Sequence, residues 1–196
     1  MCRDALKKSV SQFVSLSKEE FELFYSSVEF KKLNRKEFLL HVGSICKEAF
    51  FIVSGLIRYF NIIDGEEITR QFFFEGNWYS DYESFLMGIP STQSIQALEK
   101  TEVAILSKSA LEKLYKEVPK FERFGRLMAE NAFIGLRNKT EIHTLQTPEE
   151  RYLKLIQNRP KVIQRVPQHY IASYIGIKPQ SLSRIRNRIL KEQLDS

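Results

Sequence analysis

The stretch Gln168-His169-Tyr170-Ile171-Ala172-Ser173-Tyr174-Ile175-Gly176-Ile177-Lys178-Pro179-Gln180-Ser181-Leu182-Ser183-Arg184-Ile185-Arg186-Asn187 decides how this chain is read. Apolar and small residues fall where two short crossed helices need them. Ile171, Ile175 and Ile177 fill the wedge between the helices, and Leu182 and Ile185 seal the second helix onto the first. Ala172 suits the close contact, and Gly176 suits a turn position with positive φ. Pro179 is a good first residue for the second helix, because its fixed φ is helical and its missing N–H would have no partner there. With Leu182, Ile185 and Ile189 on a buried stripe, Gln180, Ser183, Arg184, Asn187, Arg188 and Lys191 take the outward arcs.

That pattern is a helix-turn-helix, and its outward residues are those that read DNA. Gln180 and Arg184 lie one turn apart near the helix start, where Gln pairs with adenine and Arg with guanine in the major groove. Ser181 and the first N–H groups of the helix are suited to a phosphate, and Gln168, at the start of the first helix, joins the expected DNA contacts. The charge agrees. Residues 147–196 hold 10 Lys/Arg against 4 Asp/Glu, whereas residues 1–146 hold 20 of each, so the formal +6 belongs to the C-terminal quarter. A polyanion is the natural partner of such a segment, and with the helix-turn-helix spacing that partner is expected to be double-stranded DNA.

Outward from this stretch, Thr147-Pro148-Glu149-Glu150 supplies an N-cap, a first-turn proline and a capping box, which places a domain boundary near residue 146. Between about Lys120 and Leu145 there is no proline, and Phe121, Phe124, Leu127, Met128, Ile134, Ile142 and Leu145 recur mainly at helical steps. A helix of this length between two compact modules is a candidate dimer spine, with Phe124, Leu127, Asn131 and Ile134 expected at a two-fold seam. Asn131 and Asn138 are seven apart, a spacing that serves a pairing seam and a solvent face equally well. Before it, Ser109-Ala110-Leu111-Glu112 has the form of a capping box for a shorter helix that ends at Pro119.

Residues 35–107 follow a different rhythm. Gly43, Gly55, Gly65, Gly76 and Gly88 are spaced by 12, 10, 11 and 12 residues, and short β-rich segments run between them at Glu37–Val42, Phe50–Val53, Leu56–Ile63, Ile68–Phe74, Ser94–Leu98 and Glu102–Leu106. Short strands at such turn spacings predict an antiparallel jelly-roll or β-roll, and Asp64-Gly65 is a strong hairpin pair. The fold class is therefore α+β: a β-roll, a long helix and a helix-turn-helix. The expected domains are 1–118, 119–146 and 147–196.

Composition narrows the function. A chain of 196 residues with 43% hydrophobic content is globular, and its longest charge-free run, Ser84 to Leu98, contains Gly, Pro, Ser, Thr and Gln and so cannot span a bilayer. Arg3, Asp4, Lys7 and Lys8 without an apolar segment argue against a signal peptide and for a cytoplasmic protein. Cys2 and Cys46 are too few for a disulfide framework or a four-cysteine iron–sulfur site. His41, His143 and His169 are isolated, with no metal-ligand spacing, and there is no phosphate loop, nucleophile elbow or plausible carboxylate pair. No metal, no certain cofactor and no enzymatic activity are expected.

A β-roll, a long helix and a C-terminal helix-turn-helix, in that order, resemble the cyclic-AMP receptor protein and fumarate/nitrate regulator (Crp/Fnr) family of bacterial transcription factors. The resemblance covers nearly the whole chain and extends to Glu75-Gly76-Asn77-Trp78, which leads into the family's ligand-binding cassette. It implies a homodimer with a sensory N-terminal domain, a winged-helix-like DNA-binding domain, a two-fold symmetric operator and RNA polymerase as a further partner. In cyclic-nucleotide-binding members the cassette has a Gly-Glu pair, whose glutamate takes the ribose hydroxyl, and an Arg-Ser/Thr pair, whose arginine neutralises the cyclic phosphate. Aligned on Gly76, these become Ser80-Asp81 and Ser91-Thr92.

The phosphate-binding arginine is thus missing. An anionic phosphate buried without a cationic partner loses several kcal/mol, so tight cyclic-AMP binding is not expected. Arg58 or Arg70 would have to compensate, although arginines of such sheets usually face solvent. Trp78, Tyr79, Ser80, Asp81, Ser91 and Thr92 are the expected pocket residues for an unidentified small effector, if the roll senses one. The aromatics Phe72, Phe74, Trp78, Tyr79, Tyr82 and Phe85 line that pocket or fill the core, and core is the commoner fate of such a run. Gas-sensing relatives ligate haem, but for His41 an ordinary packed or exposed imidazole is expected. The alternative function class is a ligand-binding or interaction module whose basic tail binds a protein or membrane surface.

Overall fold

Asp64 and Gly65, with φ of 51° and 80°, turn the central hairpin of the roll, and every other glycine of the rhythm also has positive φ. The tightest is Gly55, where a Cβ would overlap Thr101 Oγ1 and stand 2.7 Å from Thr101 Cα, so no side chain fits. The computed structural model describes residues 2–194, and of residues 138–144 and 193–194 it describes the backbone alone. Asn138, Ile142 and His143 therefore lie outside the described side chains.

Helices α1 (Cys2–Ser11) and α2 (Lys18–Ser26) precede eight strands: β1 (Glu29–Leu33), β2 (Phe38–Leu40), β3 (Glu48–Ser54), β4 (Leu56–Ile63), β5 (Glu66–Phe74), β6 (Trp78–Tyr79), β7 (Gln93–Ala97) and β8 (Thr101–Ser107). Helix α3 (Tyr82–Met87) interrupts them after β6. The strands form two four-stranded sheets, ordered β1-β8-β3-β6 and β2-β7-β4-β5. All six sequence-predicted strands are present. The short strands β1 and β6 were not foreseen, because Glu29–Leu33 has only Leu33 buried and Trp78–Tyr79 is two residues long.

Side chains alternate across these strands and feed two cores. Leu33, Phe50, Ile52 and Val103 of the first sheet meet Leu40, Ile57, Ile95 and Ala97 of the second. On the other side of the first sheet, Phe51, Ala104 and Leu106 pack with Leu6, Val10, Phe21 and Phe24 of the N-terminal helices. Helix α4 (Lys108–Glu117) closes this layer with Leu114. Its cap is Ser107, whose side chain accepts from Ala110 N–H at 3.2 Å, rather than Ser109. Two serines at this spacing both suit an N-cap, and the strand end at Ser107 selects the first.

Helix α5 spans Lys120–Leu145, as its periodicity predicts. It is followed by α6 (Pro148–Asn158), α7 (Pro160–Arg165), α8 (Gln168–Ile175) and α9 (Pro179–Leu194). Thr147 and Glu150 form the expected capping box at α6. The chain divides into two compact units, residues 1–61 with 72–133, and residues 62–71 with 134–196. The sequence boundaries at 118 and 146 follow the ends of elements. The compact units instead divide within α5 and claim the tip of the β4–β5 hairpin for the C-terminal unit. After β8 the described residues are helix, turn and loop, so among the described residues of that unit only the hairpin segment is strand.

Candidate nucleic-acid interface and sensor cassette

In the C-terminal unit, Tyr152, Leu155, Val162, Val166, Ile171, Ala172, Ile175 and Leu182 are buried and hold four helices together. Gly176 ends α8 with φ 79°, its N–H bonded to Ala172 and Ser173 carbonyls, and Ile177 N–H returns to Ala172 O at 3.0 Å. This left-handed cap turns the chain into α9. Arg151 fastens the turn from α6, its Nε donating to Ile175 O at 3.1 Å. The wedge read from the sequence is thereby built, although Ile177, Ile185 and Ile189 are only half-buried.

The outward-facing arc of α9 is exposed to solvent. Gln180, Ser183, Arg184, Asn187 and Lys191 are exposed, and Gln180, Arg184, Asn187 and Lys191 follow one another at steps of four, three and four residues along one stripe. Arg184 reaches back to Ser181 Oγ at 3.3 Å, and Gln168 is exposed at the start of α8. Arg188 is exposed as well, and its guanidinium pairs with both carboxylate oxygens of Glu149 at the start of α6, a surface ion pair that links α9 to α6. Lys178, exposed immediately before α9, was passed over in the sequence. Its position one residue before a helix-opening proline was the available signal.

Along α5, Phe124 is a correction. It is 3% exposed and packs edge-on to Phe13, Phe24 and Trp78 in the core beneath the first sheet. Helical periodicity cannot separate a stripe that faces the chain's own core from one that faces a second copy. Leu127 is half-buried and Asn131 is exposed. Ile134, expected at the seam, is 54% exposed, and the exposed apolar residues of α5 also include Phe133 at 70% and Leu136 at 61%. At about 100° per residue, Phe133 and Leu136 share a face roughly opposite the Leu127–Asn131–Ile134 stripe.

The cassette residues fall into three groups. Trp78 is a second correction: its ring packs on Phe51, Phe24 and Phe124 and its Nε1 donates to Ser9 Oγ at 2.8 Å, which places it under the helices. Thr92 is exposed, and its backbone carbonyl accepts from Asn61 Nδ2 at 2.8 Å. The remaining four converge. Ser91 donates to Asp81 Oδ2 at 2.5 Å and also bonds the backbone of Gln93, with both Ser91 and Asp81 buried. Ser80 donates to Glu48 O at 2.9 Å. Tyr79 donates to Gln93 Oε1 at 3.0 Å and stacks against Tyr59 at 5.0 Å and Phe73 at 4.3 Å between ring centres. Burial pushes the Tyr79 hydroxyl well above the ordinary tyrosine range, so it remains a neutral donor.

Arg58 does not replace the missing cation. It is 1% exposed, against the expectation of a solvent-facing arginine, with Nε and Nη2 on Gln96 Oε1 at 3.1 and 2.8 Å and the guanidinium 4.0 Å from the centre of the Phe60 ring. Strand alternation puts Arg58 on the opposite face of β4 from Tyr59, hence away from Tyr79 and Asp81. Arg70 is half-buried and belongs with the hairpin segment of the other unit. The residues present thus do not fit a cyclic phosphate: the arginine's position holds a serine already paired to Asp81. Among the described residues no group of His, Cys, Asp or Glu stands together as a metal site, and no helix is long and apolar enough to cross a membrane.

Residues 30–118 match the cyclic nucleotide-binding domain family. No curated protein matches the sequence. Among solved structures, the c-di-GMP-responsive global regulator CLP of Xanthomonas campestris is similar at 14% identity, with a TM-score of 0.74 over 91% of this chain and 94% of that one. FixK2 of Bradyrhizobium japonicum is similar at 15% identity and a TM-score of 0.71, over 85% of this chain and 86% of that one. A regulator from Eubacterium rectale assigned to the Crp/Fnr family has 14% identity and a TM-score of 0.70, over 90% and 85% of the two chains. The shared feature is the fold.

Proposed function

We propose that this chain, whose residues 30–118 match the cyclic nucleotide-binding domain family within a Crp/Fnr-type fold, is a DNA-binding transcription regulator and not an enzyme. It acts as a homodimer on a two-fold symmetric operator, with RNA polymerase as the further partner that such a regulator addresses. The observation that carries this reading is the stripe Gln180–Arg184–Asn187–Lys191, exposed on the second helix of a helix-turn-helix in the quarter of the chain that holds all the net positive charge. Gln180 and Arg184 read base edges, and Lys178, Lys191 and the start of α8 hold the phosphate backbone. Pairing uses the exposed apolar face of α5, since two recognition helices must be tethered about 34 Å apart to reach successive major grooves.

In the β-roll, Asp81 and Ser91 satisfy each other and the Tyr59–Tyr79–Phe73 stack occupies the adjoining interior, so cyclic AMP is not its effector. The test is selection of bound sequences from random duplex DNA by the full-length protein, followed by titration at several salt concentrations. Enrichment of an inverted repeat supports the reading. Uniform, salt-sensitive retention of all duplexes points to a general polyanion surface and overturns it.

A further inference from the structure

The tip of the β4–β5 hairpin and the first helix of the helix-turn-helix share hydrogen bonds that no DNA-reading role accounts for. Thr69 N–H donates to Ser173 Oγ at 2.9 Å, and the Ser173 hydroxyl donates to Glu67 O at 3.0 Å. One side chain thus satisfies a donor and an acceptor two residues apart on β5, as a neighbouring strand would. A second fastening lies two residues further on, where Arg159 Nη1 donates to Gln71 Oε1 at 2.5 Å and stands 3.4 Å from the Tyr174 hydroxyl. All of these residues belong to one compact unit.

The tip is acidic. Asp64, Glu66 and Glu67 lie within three residues of one another at about 3.3 Å each, a reach comparable with the screening length of about 8 Å at physiological salt. Glu67 bonds Ser173 through its backbone carbonyl, so the acidic run is fastened beside α8 at its Glu67 end. In a docked helix-turn-helix the first helix crosses the DNA backbone. The exposed Gln168 and His169 stand five and four residues before Ser173, about 7.5 and 6 Å along the helix. We propose that the hairpin tip is an acidic latch on α8: fastened through Ser173, it opposes the approach of DNA phosphates, and its release is part of engaging DNA. This rests on the DNA-binding reading above.

The test uses the full chain with Ser173→Ala, with the triple change Asp64→Asn, Glu66→Gln and Glu67→Gln, and with both together. Alanine is a good helix former, so Ser173→Ala should leave α8 folded. Amide exchange at Thr69 should quicken at least tenfold in Ser173→Ala. Affinity for both the selected operator and random duplex should rise about three- to tenfold at low salt, and fade at high salt. The triple change should also tighten binding, and the combined variant should gain less than the product of the two effects, because both act through one fastening. Glu29→Gln, on exposed β1, should leave affinity where it was.

Unchanged exchange at Thr69 overturns the latch, as does faster exchange with equal or weaker duplex binding. Full multiplicativity of the two changes also overturns it, since the acidic run would then act independently of Ser173. Equal binding of operator and random duplex by the unaltered chain overturns the regulator reading alone, because random duplex still reads the latch. No duplex binding by any variant overturns both.

Discussion

The hydroxyl end of Tyr115, on α4, rests directly on the backbone of α5 at Gly125. A Cβ built there would overlap the Tyr115 hydroxyl oxygen and lie 2.8 Å from its Cζ. Burial holds that hydroxyl neutral, its pKa pushed up to about 12. Glycine is costly in a helix interior, yet here it lets α4 and α5 approach. Gly125→Ala should destabilise the protein by about 1–3 kcal/mol, because the ring must move out of a packed layer. Adding Tyr115→Phe removes the closest atom and should recover part of that loss. Chemical denaturation of the single and double variants measures both, and a neutral Gly125→Ala would disprove the tight approach.

A buried serine–aspartate pair in the cassette has two measurable effects. Cyclic AMP should leave thermal stability unchanged, whereas a ligand at 100 times its dissociation constant would add about 2.7 kcal/mol. Ser91→Ala should cost about 1–3 kcal/mol, because buried Asp81 loses a hydrogen-bond donor. Calorimetric titration detecting micromolar cyclic-AMP binding would refute this account of the cassette.

Pairing along α5 should depend on Phe133 and Leu136 more than on Leu127, because the first two are the more exposed. Phe133→Asp should yield monomers by light scattering at low micromolar concentration and weaken operator binding with little loss of folding stability. A dimer undisturbed by Phe133→Asp but split by Leu127→Glu would move the seam to the other face of the helix.

Base reading and phosphate holding should separate along α9. Arg184→Ala should cost about 1–3 kcal/mol per half-site and relax discrimination at one base pair. Lys191→Ala should weaken operator and scrambled DNA alike and lower the salt slope by roughly one for each phosphate it no longer neutralises. Binding series on both DNAs would expose a non-reading helix if Arg184→Ala weakened them equally.

Acid should loosen the start of α6. Bonds from the Thr147 backbone and hydroxyl hold the Glu150 carboxylate below the ordinary glutamate range. A carboxylate with a depressed folded-state pKa adds stability that is present above its unfolded value and lost as pH falls through the folded one. Protection of the amides in the first turn of α6, taken against the intrinsic exchange rate at each pH, should therefore fall as pH drops through the carboxylate range. Glu150→Gln should flatten that dependence, and an unchanged profile would show that the cap does not titrate.

Local signals carried the sequence reading a long way. The capping box at Thr147, the proline at 179, the glycine at 176 and the Asp64-Gly65 turn each dictate backbone within a few residues, and each stands where it was expected. What failed was long-range. Phe124 and Trp78 have the right apolar character for a seam or a pocket, but which neighbour they meet depends on sheets and helices far apart in the chain. The Arg188–Glu149 pair spans 39 residues and the Thr69–Ser173 bond spans 104, and neither leaves a periodic mark. Burial of Arg58 ran against composition alone, since it depends on partners such as Gln96 and Phe60 on adjoining positions.

Because residues 62–71 belong to the same compact unit as residues 134–196, that unit is not one continuous stretch of chain. Excising residues 147–196 as a free-standing DNA-binding fragment would leave Ser173 and Arg159 without Glu67, Thr69 and Gln71. The same holds for hybrids. Transplanting the C-terminal helices onto another roll would graft them beside a foreign hairpin, so matching the graft at positions 67 to 71 matters as much as choosing the junction in α5. Modularity in this fold is a property of side-chain partnerships, and cutting the chain at its linker does not respect them.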